Sequence, residues 1–140
     1  MSNLQRILVA TDFDTVSEGA VEAAAKLACS TNASIHLLCV LEALMYAPPD
    51  MADMAERDPR THPEATRKMA EAVRQLRERG VREADGSIEF GIAVDVILRR
   101  ANDGQFDLLV VGNRRHGSTA AYVIPRSKIP VMTVPFAASA

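Results

Sequence analysis

Residues 108–119 read LLVVGNRRHGST, and this stretch decides the fold more than any other part of the 140-residue chain. Its four leading apolar residues, 108–111, are typical of a parallel strand buried on both faces. The strand ends at Gly112, and Gly117 followed by Ser118 and Thr119 begins a short helix. Because such a turn directs backbone N–H groups outward at a helix N-terminus, the stretch predicts a place where an anion can bind.

Strands and helices alternate along the rest of the chain. Strands are predicted at Ile7–Ala10, Ile35–Leu41, Ser87–Phe90, 108–111 and Val131–Val134. Helical spacing of apolar residues is found at Val16–Ser30, 61–80, Val94–Ala101 and from about Thr119 to Pro125. The order βαβαβαβαβ predicts an α/β fold, with a mostly parallel sheet covered by helices on both faces.

Polar residues mark the ends of the predicted helices. Thr15 or Ser17 can cap the first helix, and Asn32 can adopt the left-handed conformation that ends it. Thr61 with Glu64 three residues later predicts a capping box at the next helix. The methionine-rich connection 42–60 is long for a compact domain, which is typical of a mobile or functional cover.

The composition is that of one globular domain over residues 1–140, with 48% hydrophobic and 24% charged residues. A net charge of −2 and the absence of tryptophan argue against binding to nucleic acid or to a membrane surface. No apolar segment is long enough to predict a membrane span, so we expect a cytoplasmic protein. Cys29 and Cys39 fall in apolar runs without metal-ligand spacing, and we expect two buried free thiols.

Three blocks of the sequence resemble the universal stress protein (UspA-like) family. They are ILVATDF at 7–13, FDLLVVG at 106–112 and IPVMTV at 129–134, and together they extend over essentially the whole chain. The resemblance implies a Rossmann-like, five-stranded sheet of order 3-2-1-4-5, of the adenine-nucleotide alpha hydrolase type. In that order strands 1 and 4 are neighbours whose connections leave in opposite directions, so a crevice opens at their C-terminal ends. Asp12 and Gly112 would lie on its lip.

Family members that bind ATP carry a loop of the form G-x-x-G-x9-G-[S/T]. Gly112 matches its first glycine and Gly117–Ser118 match its final pair, but Arg115 stands where the second glycine would fall. Only four residues separate Gly112 from Gly117, where the full motif has twelve. The resemblance therefore implies a pocket for ATP or AMP with a truncated ATP loop, so that ATP binding is weak or absent. Normal ATP affinity is the alternative.

Positive charge is concentrated at the end of the chain. From Leu108 onward there is no Asp or Glu, whereas Arg114, Arg115, Arg126 and Lys128 are all present. Guanidinium groups could replace the lost N–H donors in holding an anion. The other interpretation is a solvated basic rim that keeps the short helix soluble.

By resemblance, Asp12 at the end of strand 1, directly after Thr11, holds the adenine or ribose side of the nucleotide, and Val40 borders the base. Asp12 can also cap the following turn through its own side chain, and both roles can hold together. Asp14 adds negative charge nearby and disfavours a polyphosphate.

The residues indicate no catalytic centre. No Ser–His–Asp order, metal-binding constellation or reactive-cysteine context is evident. A phospho-acceptor receiver domain would need an Asp after strand 3 and a Lys after strand 5, where this chain has Phe90–Gly91 and Pro135–Phe136. We therefore expect neither an enzyme nor a metal site, with a weak ATPase as the one activity left open.

Two functions of different classes remain. The first is a stress-response sensor that binds an adenine nucleotide or another anion. The second is a ligand-independent interaction module with a vestigial pocket. Val131–Val134 is an apolar strand at the edge of the predicted sheet, and such an edge tends to pair or to be covered. The family commonly dimerises through this strand, so we expect a homodimer.

Overall fold

Five strands and four α-helices alternate in the structure, a computed structural model that describes residues 4–42, 62–113 and 118–135. The strands are β1 (Arg6–Ala10), β2 (Ser34–Leu41), β3 (Ala84–Phe90), β4 (Leu108–Asn113) and β5 (Val131–Pro135). The helices are α1 (Thr15–Thr31), α2 (Pro63–Glu78), α3 (Ala93–Ala101) and α4 (Ser118–Val123), and a 3-10 turn at Ile124–Arg126 extends the last of them.

The strands form one sheet of order β3-β2-β1-β4-β5, and every neighbouring pair is parallel. The predicted sheet and its order are therefore confirmed. β1 lies in the middle, with Ile7 opposite Ile35 of β2 on one side and Leu108 of β4 on the other. A strand with neighbours on both sides and helices on both faces is buried all round, which explains its continuous apolar sequence.

Each face of the sheet has its own apolar layer. On one face, α1 and α2 bury small and aliphatic side chains, among them Ala24, Met69 and Leu76, against Ile7 and Ile35. On the other face, α3 and α4 cover Leu8, Leu38 and Leu109 with Ile97 and Val123. Because strand side chains alternate between faces, consecutive residues of β1 supply both layers.

The ends of the helices differ from the prediction in two places. The N-cap of α1 is Asp14, whose carboxylate accepts from the backbone N–H of Ser17, so neither Thr15 nor Ser17 is the cap. A carboxylate at this position accepts a hydrogen bond and also interacts favourably with the positive end of the helix. Asn32 ends α1 in the left-handed conformation with φ 61°, as predicted.

At α2 the predicted capping box is wrong, because the N-cap is His62 and makes no capping hydrogen bond through its side chain. Thr61 and the connection from residue 43 onward lie outside the described residues.

β3 begins at Ala84, three residues earlier than predicted. Asp85 and Gly86 are poor strand formers, but Asp85 pairs with His36 and Gly86 with Leu37 of β2. Packing favours glycine at position 86, because a Cβ atom there would collide with the side chain of Met69 on α2, which would have to move. Tertiary contacts thus override local propensity here.

The two cysteines have different surroundings. Cys39 is buried in the layer beneath α1, but Cys29 is exposed, so the expectation of two buried thiols is wrong for Cys29. Cys29 follows the buried Ala28 on α1, and the rotation of about 100° per residue along a helix carries it out of the core. Its Sγ lies 3.5 Å from the carbonyl oxygen of Arg79.

Candidate functional site

The C-terminal ends of the strands, here called the carboxyl edge, include the neighbouring ends of β1 and β4. β1 continues into α1 on one face of the sheet, and β4 is followed by α4 on the other face. Because α1 and α4 lie on opposite faces, the ends of β1 and β4 form the switch point of the sheet, where the strand order predicts a crevice. Thr11, Asp12 and Gly112 lie at this edge.

A hydrogen-bonded turn joins β1 to α1. Thr11 is buried, its backbone N–H donates to the carbonyl of Leu38 at 2.9 Å, and its hydroxyl donates to Ser17 Oγ at 3.1 Å. The backbone N–H of Phe13 donates to the Thr11 hydroxyl at 3.0 Å, and Phe13 has a positive φ of 66°. A non-glycine residue with positive φ requires support from its surroundings, and the two buried hydroxyls of Thr11 and Ser17 supply it.

Asp12 is exposed directly after β1, at the place of the predicted crevice, and hydrogen bonds hold its carboxylate in place. Oδ1 accepts from the backbone N–H of Asp14 at 3.1 Å and from the hydroxyl of Ser17 at 3.0 Å. The first of these bonds is an Asx-turn, so the predicted turn-capping role of Asp12 is confirmed. The turn also holds the carboxylate in one orientation.

The negative charge of Asp12 also acts on the core below it. Burial raises the pKa of the Cys39 thiol to about 11, and the charge of Asp12 adds to the effect. Because the thiolate is the nucleophilic form of cysteine, Cys39 is chemically inert at neutral pH. Among the residues that the structure describes, none suggests a cysteine nucleophile at this edge.

Of the remaining predicted site residues, four lie in the part of the chain that the structure describes. Val40 lies near the end of β2, half-buried, and packs against the layer beneath α3. Gly112 is half-buried and pairs with Val134 of β5. Ser118 is the first residue of α4, and Thr119 is half-buried in its first turn. Arg114, Arg115 and Gly117, together with His116, lie outside the described residues.

Two of the four predicted cations, Arg126 and Lys128, lie away from the carboxyl edge. Arg126 and Lys128 follow α4, which carries the chain back to the opposite end of the strands, here called the amino edge. There the backbone N–H of Lys128 donates to Asn102 Oδ1 at 2.7 Å, and the guanidinium of Arg126 stacks 3.8 Å from the centroid of the Tyr122 ring. An α-helical crossover must return the chain to the start of the next parallel strand, so residues on either side of it lie at opposite edges.

Sequence reasoning missed a group of polar side chains on the α3 face of β2 and β3. His36 Nδ1 lies 2.7 Å from Asp85 Oδ1, and His36 Nε2 lies 2.8 Å from Ser87 Oγ. No order of serine, histidine and aspartate along the sequence indicates this contact. Asp85 and Ser87 are two residues apart and so share a face of β3, a signal in the sequence, but only the pairing of β2 with β3 brings His36 between them.

A cavity of about 380 Å³ opens at the amino edge beside this group. His36 and Asp85 line it, together with Arg6, Arg82 and Phe106. The guanidinium of Arg6 lies 4.9 Å from the centroid of the Phe106 ring, and the same ring lies 5.9 Å from the ring of His36. The two edges of the sheet thus carry separate groups of polar residues.

Neither a metal site nor a membrane-spanning helix is found in the described parts of the chain. No group of three or more His, Cys, Asp or Glu residues in 4–42, 62–113 and 118–135 is arranged to hold a metal ion. None of the helices within these ranges is long and apolar enough to cross a membrane.

A family model described as the universal stress protein family matches residues 3–135. The chain belongs to the universal stress protein family. Among curated proteins no match is found. The fold of this universal stress protein is shared with solved structures of the family, and the predicted fold class is confirmed.

Three solved structures illustrate the similarity. Universal stress protein UspA from Lactobacillus plantarum has a TM-score of 0.83 and 22% identity, over 96% of this chain and 99% of that chain. A universal stress protein in complex with cAMP has a TM-score of 0.74 and 24% identity, over 97% and 100%. A family protein from Arabidopsis thaliana with AMP bound has a TM-score of 0.73 and 24% identity, over 96% and 93%.

Proposed function

We propose that this universal stress protein binds an adenine nucleotide in the crevice between β1 and β4 and acts as a cytoplasmic stress-response sensor, without catalysing a reaction at that edge. The observation that carries the proposal is Asp12. Its carboxylate is exposed at the place of the predicted crevice and is oriented by Ser17 and by the backbone of Asp14. Related structures that hold cAMP and AMP support an adenine nucleotide as the ligand class.

The charges near the crevice favour a nucleotide with one phosphate over ATP. Asp12 and Asp14 place two carboxylates at the start of α1, and each repels a polyphosphate more strongly than a monophosphate. The sequence between Gly112 and Gly117 is also too short to supply the full set of backbone donors of the family's ATP loop. We therefore propose AMP-like ligands, with ATP binding weak or absent.

Calorimetric titration of nucleotide-stripped protein tests this proposal. AMP and cAMP are expected to bind with micromolar Kd, and ATP with Mg²⁺ at least about tenfold more weakly, a difference of about 1.4 kcal/mol. Asp12→Ala should abolish the heat of AMP binding. Asp103→Asn is the matched control, because Asp103 is a surface carboxylate that follows α3 at the amino edge. Absence of heat with every nucleotide at millimolar concentration would refute the proposal.

A ligand-independent dimeric module is the second candidate, and β5 is the observation that favours it. β5 is the outermost strand of the described sheet beside β4, and its residues Val131–Val134 are only half-buried. An apolar edge strand tends to pair with a second copy. Sedimentation velocity at micromolar concentration should then show a species of about twice 15.2 kDa, and a 15.2 kDa species alone would refute the dimer.

A further inference from the structure

We propose that Ser87, His36 and Asp85 form a second site, a serine hydrolase centre for short esters that carry a carboxylate. The site lies on the α3 face of β2 and β3, beside the amino-edge cavity, and so is separate from the proposed nucleotide crevice. It does not depend on nucleotide binding.

The hydrogen bonds assign a role to each of the three side chains. An ionised carboxylate only accepts, so Asp85 Oδ1 accepts a hydrogen bond from His36 Nδ1–H, with 2.7 Å between the two atoms. The neutral imidazole is then left with Nε2 as its acceptor, 2.8 Å from Ser87 Oγ, where it can receive the hydroxyl proton. This is the arrangement that activates a serine nucleophile: Ser87 attacks, His36 acts as base, and Asp85 is a positioning residue that holds the tautomer.

The imidazole is held in this orientation by its surroundings. The side chain of His36 is only 12% exposed, and its ring packs against Phe106, over which Arg6 is stacked. Hydrogen bonds at both ring nitrogens then leave the ring little freedom to turn. A preoriented base is more effective, because no free energy is needed to align it during the reaction.

The outer edge of β3 offers backbone donors for the oxyanion. Ile35 N–H donates to Glu83 O, and Gly91 N–H donates to Leu41 O, so the odd-numbered residues of this segment face β2. The backbone N–H groups of Gly86 and Ile88 consequently point away from β2. Ile88 is the residue directly after Ser87. In α/β-hydrolases, the backbone N–H of the residue after the nucleophile donates to the oxyanion, and the N–H of Ile88 could do the same.

The cavity, which His36 and Asp85 line and beside which Ser87 lies, favours one class of substrate. Three arginines, Arg6, Arg77 and Arg82, line it against two carboxylates, Glu83 and Asp85. Arg77 already donates to the carbonyl of Ala84, whereas Arg82 lines the cavity, is exposed and is suited to hold an anionic group. Ser87 lies two residues beyond Asp85, about 7 Å along the strand, which fits a short acyl chain with a carboxylate at its far end.

The reaction is an ordinary acyl transfer to water. Ser87 Oγ forms a bond to the ester carbonyl carbon while its proton passes to His36 Nε2. The bond to the leaving alkoxide breaks, and that oxygen takes the proton from His36. Water then attacks the acyl-serine with His36 again as base, which releases a dicarboxylate and restores the hydroxyl of Ser87.

Covalent labelling of the 140-residue chain tests the nucleophile. A fluorophosphonate probe should form an adduct on Ser87, located by peptide mass spectrometry, and His36→Gln should lower the labelling rate by about 100-fold, the usual contribution of a general base. Ser30→Ala is the control, because Ser30 is an exposed serine whose hydroxyl bonds the carbonyl of Leu27 on α1, and it should label as the native chain does. Equal labelling of Ser87 in native and urea-unfolded protein, or none, would overturn the proposal.

Hydrolysis tests the substrate class and the role of Asp85. kcat/KM is expected to be higher for p-nitrophenyl hydrogen succinate than for p-nitrophenyl acetate, and Arg82→Gln should remove that preference. Asp85→Asn should lower kcat about tenfold or more with KM unchanged. Ser87→Ala should abolish turnover of both esters while its far-UV circular dichroism stays native. Turnover that survives Ser87→Ala overturns the site, and equal kcat/KM for the two esters overturns the carboxylate requirement.

Discussion

At the carboxyl edge the polar side chains follow the end of β1 directly in the sequence, whereas those near the amino edge come from the interior of two different strands. Asp12 lies in the connection after β1 and Ser17 in the first turn of α1, only five residues later, so a short segment builds the turn that orients Asp12. His36 and Ser87 are 51 residues apart and meet only because β2 pairs with β3. The comparison teaches that a local turn forms the group at the carboxyl edge, whereas strand pairing forms the group near the amino edge. A mutation in one group should therefore leave the other group unchanged.

The largest expected effect is on the rate of cysteine alkylation, which tests whether reagent can reach the core beneath Asp12. At pH 8 a thiol with a pKa of about 11 is ionised in only about one molecule in a thousand. Iodoacetamide should therefore modify the exposed Cys29 at least about 100-fold faster than Cys39, which is buried. Intact-mass spectrometry should show one adduct in native protein and none in Cys29→Ser. Comparable rates at the two cysteines would mean that the region beneath Asp12 is open.

The next effect is on the stability of the protein when alanine replaces a glycine, Gly86 in β3 or Gly19 in α1. Gly86→Ala forces a Cβ into Met69 and should destabilise the protein by about 1–3 kcal/mol. In Gly19→Ala the new Cβ would meet only Val134 Cγ1, at 3.7 Å, and helix propensity should make that variant more stable by about 0.5–1 kcal/mol. Urea denaturation measures both.

AMP affinity is then compared in the folded variants. Gly86→Ala should disturb the pairing of Ser87 with His36 but leave the Kd for AMP unchanged, because Gly86 lies in β3 and not in the turn after β1. A large loss of AMP affinity in this variant would show that the two sites are coupled.

A smaller effect is expected at Asp14. Asp14→Ala removes the N-cap of α1 and should cost about 1 kcal/mol of stability, whereas Asp14→Asn keeps an acceptor for the Ser17 N–H and should cost only a few tenths. Asp14→Asn also removes one negative charge beside Asp12, so the affinity for ATP should rise relative to that for AMP. Calorimetry and urea denaturation of the same pair of variants measure the two effects. An unchanged ratio of affinities would exclude Asp14 from ligand selection.

The smallest effect concerns a pair remote from both sites. Arg79 donates two hydrogen bonds to Glu22 and holds the pKa of Glu22 below its ordinary value of 4.5. A lowered pKa in the folded state stabilises the protein above pH 4.5, and this contribution is lost as the pH falls through the lowered value. Both side chains are largely exposed, so a double-mutant cycle with Glu22→Gln and Arg79→Gln should give about 0.2–1 kcal/mol at neutral pH. A coupling energy that persists well below the lowered pKa would contradict this account.

The apolar runs of β1, β2, β4 and β5 predicted these strands because burial on both faces of a sheet imposes such runs, whereas the order of the strands was implied by the family resemblance. The sequence located Asp12 for a related reason, since the residue after a parallel strand must lie at the carboxyl edge. It placed Arg126 and Lys128 wrongly, because proximity along the chain does not show which edge a crossover helix returns to.

Prediction from the sequence also failed where the pairing of strands, or a choice between neighbouring residues, determines the structure. The start of β3 depends on the pairing of Asp85 and Gly86 with β2, against their local propensity. The choice of Asp14 over two nearby hydroxyls as N-cap depends on the exact start of α1, the least certain feature of a helix prediction. The contact of His36 with both Asp85 and Ser87 requires the register of the two strands.

The measurement that tests the central claim most directly is an NMR titration of the amide-labelled, 140-residue chain with AMP. The account predicts saturable shifts for the amides of Thr11, Asp12 and Gly112 at the carboxyl edge, with those of Asp85 and Ser87 unmoved. The same titration of Asp12→Ala should show no shifts. Saturable shifts confined to the amino edge, or no shift at millimolar AMP, would contradict a nucleotide site between β1 and β4.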